Sequence, residues 1–214
     1  MHIAVKASEE QKKEFLSKGI SENVTVQWLG KEDMLASVKA DVFFDLLFNN
    51  EFIPANEFTM GKPVFVEAVC CTAKEIGHAN YIRINTWPGF IERPVIELSA
   101  VNDAAKAIAE PVLQALGWKF VWTPDEPGMI AARIISMIIN EAYFGLQDGI
   151  STRDEIDTAM KLGTNYPCGP FEWSRKIGIE KIYFLLKKLQ QQDTGRYAVA
   201  KMLEQEALHN GITA

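Results

Sequence analysis

The chain has 214 residues, 48% hydrophobic and 23% charged, an ordinary globular composition that suits one large domain or two small ones. Its formal net charge of -6, with no block of lysine and arginine, excludes the concentrated basic face a nucleic acid needs, so no nucleic-acid partner is expected. No apolar run is long enough to span a bilayer and Met1–Ala7 leads into Ser8-Glu9-Glu10 rather than a signal-type apolar region, so no membrane partner and a cytoplasmic location are expected.

Residues His2–Ala7 read as a β-strand, and Ser8-Glu9-Glu10-Gln11 as a capping box that opens a helix ending at Gly19. Val24–Leu29 is a second strand, Asp33–Val38 a short helix, Asp41–Phe48 a third strand, and Lys62–Val69 a fourth after a loop holding Pro54. Strands alternating with helices imply a parallel sheet. Two more strands, Tyr81–Thr86 and Pro94–Ala100, flank the turn residues Pro88-Gly89. A helix from Asn102 to Leu116 contains Pro111, which should kink or interrupt it. Lys119–Thr123 closes the sheet, and Thr123–Gly128 reads as a hinge. Beyond it the pattern is helical only. Met129–Leu146 is apolar on nearly every side, which calls for burial by neighbours or by a partner subunit. Thr152-Arg153-Asp154-Glu155 is another capping box, its helix stopping at Gly163, and amphipathic helices over Glu180–Gln192 and Gly195–Leu208 complete the chain. The expected fold class is α/β, a Rossmann-like, mostly parallel sheet domain over residues 1–124 followed by a smaller all-α domain over 125–214.

Cys70, Cys71 and Cys168 are too few for a disulfide framework, and no His/Cys cluster has metal-ligand spacing, so no metal is expected.

Three segments carry a resemblance: Pro127-Gly128-Met129-Ile130-Ala131-Ala132-Arg133, then Glu155-Ile156-Asp157-Thr158-Ala159-Met160, then Tyr166-Pro167-Cys168-Gly169-Pro170-Phe171. In order and spacing they resemble the second, helical domain of the 3-hydroxyacyl-CoA dehydrogenase family. Upstream, Pro94–Leu98 and Leu116–Lys119 resemble the end of that family's nucleotide-binding domain. The resemblance is good over about Tyr81 to Leu189 and holds only in outline over residues 1–80. It implies a homodimer formed through the helical domain, an acyl-CoA-type ligand, and NAD as cofactor.

The residues of the first loop do not match that implication. A dinucleotide fold of this class places glycines between its first strand and first helix so that backbone can approach the pyrophosphate. Here the loop reads Ala7-Ser8-Glu9-Glu10-Gln11-Lys12, without glycine and with two carboxylates where phosphates would lie. The second strand ends Gln27-Trp28-Leu29-Gly30, without the acidic residue that would hold a ribose, and Glu32 and Asp33 look like first-turn helix residues. No cofactor is therefore expected, NAD remaining the alternative. The family's helical insertion between the third and fourth strands is expected to be missing.

The resemblance also implies a histidine, oriented by a glutamate, that takes the 3-hydroxyl proton while hydride leaves for the nicotinamide. Glu97 occupies the glutamate position, and the family spacing counted back from it lands on Asn85, which takes up no proton at neutral pH. Asn85 is expected to hydrogen-bond Glu97. Cys70 and Cys71 stand where the family has paired serines, Ala132 replaces its asparagine, and Arg133 is retained. Glu97 and Asn85 are thus the candidate catalytic pair, and Cys70, Cys71 and Arg133 the candidate substrate contacts. His2, His78 and His209 are read as surface or structural. Three functions stay open: a non-catalytic relative that binds an acyl-CoA-type ligand or partners an active enzyme, an NAD-dependent 3-hydroxyacyl-CoA dehydrogenase, and a purely structural interaction protein.

Overall fold

The uninterrupted apolar runs Ile3-Ala4-Val5, Val42-Phe43-Phe44 and Val64-Phe65-Val66 are buried on both faces, as central strands of a sheet covered on each side must be. The structure is a computed structural model that describes residues 1–48 and 59–212. The chain divides into two compact units, Met1–Met129 and Ile130–Ala214. The first is Rossmann-like. Its strands are β1 (His2–Lys6), β2 (Thr25–Leu29), β3 (Val42–Asp45), β4 (Val64–Glu67), β5 (Tyr81–Ile84), β6 (Val95–Ala100) and β7 (Lys119–Trp122), in the order β2-β1-β3-β4-β5-β6-β7. Every neighbouring pair is parallel except β5 with β6, where Ile84 faces Leu98. That reversal follows from the short turn-rich connection through Pro88-Gly89, since a parallel return would need a longer crossover.

Alternation along the strands sends Ile3, Val5, Phe44, Phe65 and Ile82 to one face, under α1 (Glu9–Ser17) and α3 (Asp103–Leu116). Ala4, Phe43, Val64, Val66 and Tyr81 point to the other, with Cys71 and Ile76. Phe15 anchors α1 by edge contacts with Trp28, Phe44 and Trp118.

Several expectations need correction. Pro111 does not interrupt α3, which is a single helix over Asp103–Leu116; Pro111 and Ala107 lie on its exposed side, where water can serve the carbonyl left without a donor. The helix expected over Asp33–Val38 is only a 3-10 turn, Leu35–Ser37, because Asp33 instead accepts the Gly30 amide at 2.7 Å and closes a tight turn. Strand β3 stops at Asp45, whose carboxylate accepts the Leu47 amide. The Pro54 loop, and with it the stretch where the family's insertion would fall, lies outside the described residues.

The second unit is α4 (Ala131–Gln147), α5 (Arg153–Thr164), α6 (Pro170–Ile177), α7 (Ile179–Gln190) and α8 (Lys201–Ile212). Helix α6, and the single-turn helix α2 (Ala73–Ile76) of the first unit, are additions to the sequence reading. Helix α8 begins later than expected because Asn140 holds the preceding segment, donating to the Ala198 carbonyl at 2.8 Å and accepting the Ala200 amide at 2.9 Å. Among the described residues no helix is long and apolar enough to cross a membrane.

Candidate functional site

In the sheet unit, β1 leads through α1 to β2 on one side, and the chain then crosses to β3 on the other. Ligands of open α/β sheets bind outside the carboxyl ends of the strands at such a switch point. The groups found there bond mainly to one another. Ser8 Oγ accepts the Gln11 amide at 3.2 Å, and Gln11 Oε1 accepts the Ser8 amide at 3.0 Å, the reciprocal capping box expected of this loop. The Gln11 amide nitrogen then reaches across the strand ends, donating to the Leu46 carbonyl at 2.7 Å and to Glu67 Oε2 at 3.2 Å. Thr86 donates to the same Glu67 oxygen at 3.2 Å. Asp45, at the end of β3, has its carboxyl pushed up to about 6, first by burial, with Glu67 adding to the rise and Lys6 and the Leu47 amide opposing it. The crevice therefore carries carboxylates, and two of the amides a phosphate would use are already bonded within the chain.

Asn85 follows β5 and Glu97 lies within β6, and the antiparallel pairing of these strands brings them together. The Asn85 amide nitrogen donates to Glu97 Oε2 at 3.4 Å, a long bond, while the Asn85 backbone amide donates to the Glu97 carbonyl at 3.2 Å. Asn85 Oδ1 accepts the Trp87 amide, which fixes the direction of the side-chain amide, and the residue is buried. Of the candidate residues the structure brings these two into contact. Cys70 is half-buried and Cys71 buried, both in the segment after β4. Arg133 is half-buried in the first turn of α4, on the helical unit. Of the histidines, His78 packs on Tyr81, His2 opens β1 and His209 lies in α8. Among the described residues no cluster could hold a metal ion.

Reading the sequence missed the buried Arg83, the group beside the cysteines. Its guanidinium donates to the carbonyls of Ala68, Val69 and Glu126 and pairs with Asp125 at 2.8 Å. Asp125 in turn accepts the Ala73 and Lys74 amides at the start of α2. Burial lowers the affinity of Arg83 for its proton, with Asp125 opposing that effect. An arginine inside the apolar strand Tyr81-Ile82-Arg83-Ile84 was the available signal, because a buried charge has to be paired.

In the helical unit the second and third resembling segments meet. Asp157 is buried and accepts the amides of Phe171 at 2.8 Å and Glu172 at 3.1 Å, capping α6. Gly169 lies directly against it. Residues 128–212 match the family model described as 3-hydroxyacyl-CoA dehydrogenase, C-terminal domain. The helical unit is therefore similar to the C-terminal domain of the 3-hydroxyacyl-CoA dehydrogenase family.

Members of the family show how far the likeness runs. The 3-hydroxyadipyl-CoA dehydrogenase of Escherichia coli (strain K12) is 43% identical over 115 residues, 53% of this chain and 24% of the relative. The crystal structure of 3-hydroxybutyryl-CoA dehydrogenase from Escherichia coli K12 superposes with a TM-score of 0.60 at 36% identity, over 70% of this chain and 32% of that one. The (S)-3-hydroxybutyryl-CoA dehydrogenase of Ralstonia eutropha reaches a TM-score of 0.75 over 98% of this chain and 94% of its own, at 15% identity, a likeness of fold alone. The matched stretches span only about a quarter to a third of the curated relatives.

Proposed function

We propose that this chain is a 3-hydroxyacyl-CoA dehydrogenase relative without dehydrogenase activity, acting by binding an acyl-CoA-type ligand or by partnering an active enzyme. The observation that carries this reading is Asn85, whose amide is bonded to Glu97 at the position where the family's mechanism needs a base. An amide has no proton affinity at neutral pH, and loss of a general base typically forfeits ~10²–10⁴ in rate. Support comes from the switch-point crevice. Ser8 and Gln11 satisfy each other's amides, Gln11 fills the space beside Glu67, and Glu9 and Glu10 add like charge to any phosphate. These residues do not fit a dinucleotide pyrophosphate, so no hydride step is assigned to the chain.

The alternative, an NAD-dependent dehydrogenase of fatty-acid metabolism, draws on the retained Glu97. Fluorescence titration with NADH, alone and with acetoacetyl-CoA, separates the two. The proposal expects no binding at millimolar NADH and no NADH oxidation. Saturable micromolar binding, with a turnover that disappears in Glu97→Gln, would establish the alternative instead. The exposed Ile130, just before α4, and Ile134 on it favour self-association through the helical unit, as the family resemblance implies; sedimentation as a monomer at micromolar concentration would refute that part.

A further inference from the structure

Cys168, itself buried, lines a solvent-open cavity of about 480 Å³ on the helical unit together with Pro167, Glu172, Arg175 and Lys176. Nothing in the proposed function uses this site. The Lys176 ammonium donates to Cys168 Sγ at 3.3 Å. The neighbouring charges are otherwise engaged: Glu172 is held by Lys161 and by the Gly169 amide, and Asp157 accepts two amides and faces Arg175 at 3.7 Å. Lys176 has no carboxylate partner among the described residues; besides the sulfur it meets only the face of Trp173, at 5.8 Å. The cavity thus combines a thiol, an ammonium on its sulfur, and a second cation, the largely exposed Arg175, on its wall.

We infer that Cys168 is a site of mixed-disulfide formation with small anionic disulfides. A thiolate is the nucleophile in thiol–disulfide exchange, and the Lys176 ammonium stands at hydrogen-bond distance from the Cys168 sulfur, 3.3 Å. In the exchange, Cys168 sulfur attacks one sulfur of the incoming disulfide. The new S–S bond forms as the old one breaks, and the other half leaves as a thiolate that takes its proton from solvent. The protein thiol is oxidised and the small disulfide reduced, with no further oxidant. Arg175 and Lys176 select for carboxylate- or phosphate-bearing disulfides over cationic ones. Cys70 and Cys71 serve as internal comparators, since they lie beside the Arg83 guanidinium, which is already held by Asp125 and three carbonyls.

The test treats the full chain with oxidised glutathione or with the cationic disulfide cystamine, quenches with acid, and maps each cysteine by mass spectrometry. Cys168 is expected to react first, faster with oxidised glutathione than with cystamine. Lys176→Met should slow it by roughly tenfold while Lys176→Arg retains most of the rate. The inference fails if Cys70 reacts first, if the two disulfides react equally, or if Lys176→Met leaves the rate unchanged. A circular-dichroism melt of each variant separates lost reactivity from lost folding, and the Lys176→Arg arm keeps the test decisive if Lys176→Met unfolds.

Discussion

Asp157 stands where a side chain on Gly169 would have to go. A Cβ at position 169 would come under 3.0 Å from the Asp157 side chain and its Cα, and backbone cannot swing aside as a side-chain tip can. The approach exists because the Asp157 carboxylate caps the Phe171 and Glu172 amides. Gly169→Ala should therefore destabilise the helical unit by about 1–3 kcal/mol, and Asp157→Ala by a similar amount through two unmet buried amides. Asp157→Asn, which keeps an acceptor, should cost less. Hydrogen exchange of the α6 amides, followed with a thermal melt, checks all three; an unperturbed α6 in Gly169→Ala would contradict the geometry.

The Arg83–Asp125 pair ties the 124–128 segment to the end of β4 and the start of α2 within the sheet unit. The guanidinium is fully buried and Asp125 one-fifth exposed. Removing the carboxylate leaves a buried cation, so Asp125→Ala is expected to cost about 3–5 kcal/mol. Arg83→Met together with Asp125→Ala should cost less than the sum of the single changes, because the double change leaves no orphaned charge. A double-mutant cycle from urea denaturation reads this directly. Additive losses would mean that the two side chains act separately.

This pair also marks the limit of what could be read from the chain alone. The succession of strands and helices, the switch from alternating elements to helices, and the Asn85–Glu97 contact follow from periodicity and family spacing, which are local or nearly so. The role of Arg83 depends on partners about forty residues away in the chain, and no periodicity encodes such a distance. The same holds for Gln11, legible as the third residue of a capping box, whose amide nitrogen meets Leu46 and Glu67 only once β1, β3 and β4 are aligned. Cys168 stands in the sequence as one residue of the Tyr166–Phe171 segment, and its setting beside Lys176 emerges only with the turn of α6.

Asn140 offers a check within the helical unit. Its side chain donates to Ala198 and accepts from Ala200, replacing the helical bonds this segment lacks. Asn140→Ala removes both and should cost roughly 1–3 kcal/mol, with the loss appearing as faster exchange at the Ala200 amide. Asn140→Asp keeps the acceptor but brings a carboxylate against the Ala198 carbonyl, and should be at least as harmful. If Asn140→Ala melts with the parent protein, the clamp contributes nothing.

Asp45 gives the sheet unit a pH dependence opposite to that of an ion-paired carboxylate. Burial, with Glu67 nearby, lifts its folded-state pKa from 3.8 to about 6, while Lys6 and the Leu47 amide pull it down and Tyr81 faces it as a neutral phenol. The folded state then holds the proton more tightly than the unfolded chain. The favourable contribution of the protonated form is fully present below about pH 4 and is lost as pH rises to about 6. Above that, the charged, desolvated carboxylate costs up to about 3 kcal/mol. Glu14, whose carboxyl burial also raises, works in the same direction with Gly89 as its amide donor. Asp45→Asn keeps an oxygen for the Leu47 amide and removes the charge. It should melt higher than the parent at pH 7.5 and converge with it near pH 4. Parallel melting curves across that window would mean that Asp45 is better solvated than its position at the strand end implies.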